Sequence, residues 1–511
     1  MRHYLIFILL AINHVTFGNQ IVSRFKAVYQ SSAIDYNQTG HLITDESKDV
    51  TYWQSKSNKD EWIYIDLGST HTIDSIRIYW GNEYATNYSL QTGNYEGRPK
   101  TIHWKTVLTR SKNTGGIVCH KIKPTRARYV KIYCKISSGQ SFIIYHVDVF
   151  GQPLNPPQHE QKNNIFRNNT LYIRAGWKIK KVAFETHSPE ELCSPTFDDS
   201  EWLEAEVPGT VLASYLKAGA IPDPNYGDQQ LMISDAYFTA PFYYRTVFKV
   251  PDELKNKKLW LNFDGVNYAA DYYLNGKKIG YSKGAFCRTR ININNYLNPS
   301  EENVLLVKVY PNEHPGEVTE QHLNDPDPNG GIIGLDGPTF LASIGWNWIP
   351  TIRGRNTGIW NKVYLSGTGP VTLEQPFVRT SFPLPDTSQS TADIECLIIN
   401  HSDMPVEGKL TGTLDTITFN TIIKLKANDT VRFSKQVLVL HPKLWWPNGY
   451  GNPYLYRLKL SFTTHDMLSD EKVISFGFRQ FTYQYQNSNL RLYIIHKWCT
   501  TIDQRRQLGH A

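Results

Sequence analysis

Short stretches in which apolar and polar residues alternate recur along this chain, separated by Gly, Pro, Asn and Asp. "WIYIDLG" (62–68), "IDSIRIYWG" (73–81), "YVKIYC" (129–134) and "YYRTVFKV" (243–250) are the clearest in the first half. "KLWLNFDG" (258–265), "NVLLVKVY" (303–310), "VYLSG" (363–367) and "YLYRLKLSF" (454–462) continue the series. A period of two places one face of each stretch in a core and the other toward water, so each predicts a strand. Sustained helical periodicity is scarce. "TVLASYLKAG" (210–219) is the best short helix, stopped by Gly219 and Pro222. Many short strands with turns between them predict an all-β chain of tandem sandwiches or jelly rolls.

Two breaks divide the pattern. "GQPLNPPQHEQKNN" (151–164) is rich in Pro, Gln and Asn and reads as a linker over 152–164, and "SGTGPVTLEQP" (366–376) is a shorter break. The expected units are therefore 20–151, 165–368 and 370–480, with a tail over 481–511. In "LNGKKIG", Asn275-Gly276 supplies the positive φ angles of a tight hairpin.

Composition adds three points. Aromatic residues are abundant, with 13 Trp, 31 Tyr and 22 Phe; most belong in sheet cores, but such rings also stack on sugar faces. The net charge of +7 is spread without any run of Lys or Arg, which argues against a nucleic-acid groove. Residues 1–18, "MRHYLIFILLAINHVTFG", have a basic start and an apolar stretch too short to span a bilayer. They read as a secretory signal cleaved near Gly18 and predict a secreted protein without a membrane span. Asn37, Asn87, Asn168, Asn400 and Asn428 open N-x-Ser/Thr acceptors. The six cysteines show no metal spacing; Cys119 and Cys134 are the candidate bridge between strands of the first unit.

"DVTYWQS" (49–55), "EWIYIDLGSTHTIDSIRIYWGNEYATNYSLQTG" (61–93), "RARYVKIYC" (126–134) and "YHVDVFG" (145–151) together resemble the discoidin, or coagulation factor 5/8 type C, domain. The resemblance implies an eight-stranded jelly roll that holds a ligand on loops at one end, usually a glycan where the domain is attached to a carbohydrate enzyme. Trp53 and Trp62 are expected in its core. Tyr84, in the turn "GNEYAT", is a candidate exposed ring for a sugar. Asp45, Asp49 and Asp148 are candidate oxygen ligands of a structural calcium ion, with solvated turn carboxylates as the alternative.

The second unit carries "VPGTVLASYLKAGAIPDPNYGD", "FDGVNYAADYYLNGKKIG", "DGPTFLASIGWNWIP" and "TGIWNKVYL". It resembles the sugar-binding jelly roll that opens glycoside hydrolase family 2 enzymes, nearest the β-mannosidase, endo-β-mannosidase and exo-β-glucosaminidase branch. In "GWNWIP", Trp346 and Trp348 fall on one face of an extended chain with Asn347 on the other. β-Mannosidases have an acid where Asn347 stands; an amide still exchanges hydrogen bonds with hydroxyls, but a charged acceptor is lost. Arg353 and Arg355 follow in a turn-rich loop, where they either contact a sugar or clamp local carboxylates.

The third unit, with "LWWPNGYGNPYLYRLKL" and "FGFR" (476–479), resembles the immunoglobulin-like sandwich of the same family. Its Trp445 and Trp446 are expected to form an exposed apolar patch. In the family "FGFR" leads into a β/α barrel that carries the acid/base and the nucleophile. "IHKWCTTIDQRRQLGHA" does not resemble that continuation, so the tail reads as an early stop, a frame-shifted reading or a mis-joined gene model. No catalytic residue is assigned; Asp325 and Asp327, in a Pro- and Gly-rich turn, read as surface acids. The expectation is a non-catalytic front part of a secreted hydrolase of O-glycosyl bonds, with carbohydrate as partner and no cofactor for catalysis. A secreted lectin-like protein acting through the discoidin unit is the alternative.

Overall fold

The computed structural model describes residues 20–96, 101–154, 162–298, 301–316, 334–336, 353–486, 491–496 and 499–501, except Tyr36, Asp228 and Leu231. The fold is all-β, built of antiparallel sheets in tandem sandwiches. Two compact units divide it: residues 1–253 with 260–366, and residues 254–259 with 367–511.

The first unit begins with an eight-stranded sheet. Its central members are Lys59–Trp80 and Ile117–Ser137, flanked by Ile143–Pro153 and Ala85–Glu96, with Thr101–Arg110 outermost. Along Lys59–Trp80 the buried positions run 61, 63, 65, 67, then 71 and 73, then 76, 78 and 80. The change of phase falls where the register slips between Ile73 and Ser75, the mark of a β-bulge that keeps the apolar set inward on both sides. Trp53 lies in this core, fully buried. Trp62 does not: alternation with Ile63 turns it to the outer face, where it stacks on Tyr64 at 5.5 Å. Cys119 and Cys134 are both free, because they sit on the same strand, Ile117–Ser137, opposite Arg77 and Glu61 respectively. At about 3.3 Å per residue the strand itself keeps them apart.

A second sandwich pairs a five-stranded with a six-stranded sheet. The six-stranded sheet runs in the order Leu203–Glu204, Lys178–Lys181, Phe242–Lys249, Glu302–Tyr310, Ala269–Leu274, Lys277–Lys283. Asn275 and Gly276 take φ of 50° and 84° in the hairpin that closes its edge. The predicted helix is Val211–Lys217, capped by the Thr210 side chain, which accepts from the Ala213 N–H, and ended at Gly219 with φ 72°.

The eight-stranded sheet and this sandwich are packed against each other within the one unit. The Tyr237 hydroxyl donates to the His41 carbonyl and Ser234 Oγ to the Asn37 carbonyl, and Phe25 meets Tyr215 edge-on at 5.8 Å. Asp45 and Lys181 face each other electrostatically across the same junction.

The second unit holds a three-stranded sheet, Val371–Ser381, Gln389–Asn400 and Thr430–Leu440. A four-stranded sheet, Ile417–Leu425, Val406–Leu414, Tyr456–Thr464 and Met467–Phe476, completes the sandwich. Ile394, Ile398, Leu410, Leu458, Leu460 and Phe462 fill the space between them. Trp445 and Trp446 are half-buried rather than exposed. Trp445 lies on Gly477 with the Arg479 guanidinium 4.6 Å from its ring, and Trp446 lies on Gly451. A side chain at either glycine would collide with the indole, which is why both stand beside tryptophans. Strands Phe481–Gln486, Arg491–His496 and Cys499–Thr501 form a further antiparallel sheet. No helix of the described residues is long and apolar enough to cross a membrane.

Candidate functional site

The six-stranded sheet of the second sandwich ends on the edge strand Lys277–Lys283. Its residues alternate, so Tyr281 and Lys283 point the same way. Register sets Tyr281 opposite Asp271, and Lys283 opposite Ala269, which in turn faces Tyr310. These positions share the outer face of the sheet. Just past Tyr310 the chain turns through "PNE" (311–313). The result is an open pocket of about 430 Å³ lined by Pro241, Tyr268, Ala269, Tyr281, Tyr310 and Glu313, together with Pro311 and Asn312.

Tyr281 is 56% exposed and so within reach of a ligand; Tyr268, 5% exposed, forms the floor. Lys283 Nζ lies 3.0 Å from Glu313 Oε1 and 5.4 Å from the centre of the Tyr268 ring. The bond to Glu313 raises the Lys283 ammonium above its usual range. The Tyr310 hydroxyl donates to Asp271 Oδ2 at 2.8 Å, and Lys278 Nζ meets Asp271 Oδ1 at 2.7 Å. Burial first, and then the bond to Asp271, push the Tyr310 phenol well above its ordinary value, so it stays a neutral donor. An exposed aromatic ring beside a carboxylate, an ammonium and an amide can stack on an apolar surface and exchange hydrogen bonds with hydroxyls.

Arg353 and Arg355 are placed differently. Both are buried, 2% and 7% exposed, and both grip Asp235: Arg353 Nη1 at 2.8 Å from Oδ2, and Arg355 Nη1 at 2.6 Å from Oδ1. Arg353 Nε also donates to the Gln230 carbonyl, and Arg355 to the carbonyls of Pro315 and Gly316. They clamp a carboxylate and a turn and present no free donor face to a sugar. Arg355 nonetheless acts near the pocket, because the turn it holds begins two residues after Glu313. Its own carbonyl accepts from Asn267 Nδ2 at 2.8 Å, next to Tyr268 in the floor. Trp346, Asn347 and Trp348, and likewise Asp325 and Asp327, lie outside the described residues.

In the first sandwich Tyr84 is not a free ring. It packs on the core and on Gly115, where an added Cβ would stand 2.5 Å from the ring. The three candidate calcium ligands are not gathered into a group. Asp45 is buried at the junction, accepting from the Ser47 N–H and the Thr51 hydroxyl, and burial pushes its carboxyl up to about 7. Asp148, on the strand opposite Arg77, accepts from the Tyr79 hydroxyl and pairs with His146 at 3.1 Å. Burial raises the Asp148 carboxyl, but the bond and charge of His146 and the charge of Lys48 outweigh it and hold the group below its usual range. Asp49 is exposed. Among the described residues Glu313, His314 and Asp336 form the one group with ligand atoms within 4.8 Å of one another. Asp336 is already engaged there by the backbone N–H and ring of His314, and Glu313 by Lys283.

The pocket residues Tyr281, Tyr310 and Glu313 were not singled out by sequence. A signal existed in the alternation of Tyr281 with Lys283 straight after the Asn275-Gly276 turn, which marks an edge strand with an aromatic and a cation on one side.

Comparison with known proteins agrees with this architecture. Residues 177–361 match the glycosyl hydrolase 2 galactose-binding domain-like family model, residues 371–479 that of glycosyl hydrolases family 2, and residues 33–132 that of a NedA-like, galactose-binding domain of F5/F8 type C. A mannosylglycoprotein endo-β-mannosidase of Lilium longiflorum is 33% identical over 306 residues, which cover 56% of this chain and 31% of that protein. An exo-β-D-glucosaminidase of Streptomyces avermitilis is 27% identical, over 63% of this chain and 34% of that protein. An exo-chitosanase crystal structure from Amycolatopsis orientalis shares the fold with a TM-score of 0.54 at 24% identity, over 65% of this chain and 36% of that one. The chain thus spans about a third of the length of the curated relatives it matches. Fold and matches define a class first: tandem β-sandwiches of the galactose-binding and immunoglobulin-like kinds. Within that class, the chain belongs to glycoside hydrolase family 2 and carries a discoidin-like domain ahead of the family's own two.

Proposed function

We propose that this chain is the carbohydrate-binding front part of a secreted family 2 glycoside hydrolase of the β-mannoside or β-glucosaminide type, and that its sandwiches hold glycan without cleaving it. The observation that carries this reading is the succession of domains: a discoidin-like sandwich, then the family 2 jelly roll, then the family 2 immunoglobulin-like sandwich. The relatives' names, an endo-β-mannosidase and an exo-β-glucosaminidase, support the substrate class. Secretion rests on the basic start and apolar stretch of residues 1–18.

Three carboxylates of the described jelly roll, Asp235, Asp199 and Asp271, are engaged within the protein, which supports a binding role over a cutting one at their positions. A retaining glycosidase needs two carboxyl groups about 5–5.5 Å apart with a sugar between them. Asp235 instead holds Arg353 and Arg355, Asp199 holds Lys178 and Arg245, and Asp271 holds Lys278. Each is engaged by a cation of the protein itself rather than left open to a substrate. Incubating the purified chain with nitrophenyl β-mannoside and nitrophenyl β-glucosaminide tests this reading. Nitrophenol release equal to the blank is expected; turnover well above it overturns the non-catalytic assignment.

A further inference from the structure

We infer that the open pocket between Tyr281 and Glu313 is a glycan subsite of the jelly roll itself, and that it takes an uncharged hexopyranose unit in preference to a cationic amino sugar. The inference rests on the carbohydrate reading above and adds a location and a ligand class to it.

Four observations lead to it. The volume, about 430 Å³, lies in the range of small-ligand pockets. Tyr281 is a large ring left 56% exposed on an edge strand, where burying it against a flat partner is favourable and nothing else in the described fold covers it. Around it stand groups that exchange hydrogen bonds with hydroxyls: the Glu313 carboxylate, the Lys283 ammonium and the Asn312 amide. The floor is rigid, since Tyr268 donates its N–H to the Tyr310 carbonyl, accepts at its own carbonyl from the Gly284 N–H, and lies beneath Lys283.

The preference for a neutral sugar follows from the charges. Glu313 faces Lys283 at 3.0 Å and Asp271 faces Lys278 at 2.7 Å, and Asp336, beside Glu313, accepts from the backbone N–H of His314 and meets its ring, so the acids around the pocket are already engaged. Lys308 adds a further positive charge, 5.1 Å from the centre of the Tyr310 ring. An ammonium on the sugar would meet carboxylates that are already engaged and would have to displace one of these partners to find a counter-ion. Hydroxyls incur no such penalty.

The test is calorimetric titration of the full chain with β-1,4-mannotetraose and, separately, with fully deacetylated chitosan tetrasaccharide. Mannotetraose is expected to bind the more tightly. Tyr281→Ala should weaken it about tenfold, whereas Tyr281→Phe, which keeps the ring, should bind within about twofold of wild type. Since Tyr281 is exposed, unchanged thermal unfolding of both variants establishes that they are folded, and Glu313→Gln should weaken binding through a second, independent contact. Wild-type-like binding by Tyr281→Ala and Glu313→Gln would place the glycan elsewhere and overturn the subsite while leaving the carbohydrate reading intact. Tighter binding of the chitosan oligomer, lost in Tyr281→Ala, would overturn the neutral-sugar assignment alone. Failure of the wild-type chain to bind either sugar would overturn the subsite and count against the parent reading too.

Discussion

Two polar clusters in the family 2 jelly roll are built from similar residue types and do opposite things. Around Asp235, two guanidiniums and a carboxylate are folded inward, with Arg353 and Arg355 2% and 7% exposed. Around Glu313, a carboxylate, an ammonium and a tyrosine ring face outward, with Tyr281 56% exposed. In the first cluster every bond is made within the protein, and its consequence is a fixed turn at Pro315–Gly316. In the second the partners are paired but solvated, so a ligand can replace water without stranding a charge. Residue type alone does not separate a clamp from a binding site; burial does.

The largest effect expected from breaking this contrast is at Asp235. Asp235→Ala strands two buried guanidiniums and should destabilise the jelly roll by about 3–5 kcal/mol, read as a lower urea midpoint; a shift no larger than that of a surface mutation would remove the clamp from the account. Tyr281→Ala, at the other pole, should move stability by no more than about 0.5 kcal/mol while weakening glycan binding.

The junction between the first two sandwiches provides a smaller, pH-dependent test. Burial raises the Asp45 carboxyl from 3.8 to about 7, so between those values the folded state holds a proton that the unfolded state has lost. Its contribution is full below the unfolded value and declines as pH rises toward 7. His41, lowered by burial from 6.5 to about 4, acts with the opposite sign: its contribution is lost as pH falls through that window. Unfolding free energies of wild type and Asp45→Asn measured across this range should therefore converge or cross as pH rises, with wild type losing ground. A difference independent of pH would show that Asp45 is not buried as described.

The smallest effect is chemical. Cys119 is exposed and Cys134 is buried, its thiol pushed well up by desolvation. Iodoacetamide without denaturant should label Cys119 and leave Cys134 unlabelled; protection of both until a reductant is added would restore the bridge that the strand register excludes.

Much of the fold was legible because strand alternation is a local code. The buried faces of Lys59–Trp80 and Tyr456–Thr464, the Asn275-Gly276 hairpin and the Thr210-capped helix all fall where the pattern places them. The code failed where facing matters and adjacency does not reveal it. Trp62 belongs to the outward set of its own strand, yet bulk alone suggested a core residue. Cys119 and Cys134 looked like strand partners until both fell on one strand. The site was less legible still, because Tyr281, Tyr310 and Glu313 are brought together by sheet register across 32 positions of sequence and carry no motif. Arg353 and Arg355 were conspicuous in sequence, but only the structure shows that they are spent on Asp235.

The central claim is that these sandwiches grip a glycan and leave its bonds intact. It is tested most directly by following one sample of the full chain with β-1,4-mannotetraose, recording heat of binding and reducing-end release together. Saturable heat with reducing ends constant over time is the predicted result. Reducing ends that accumulate in proportion to protein would contradict it.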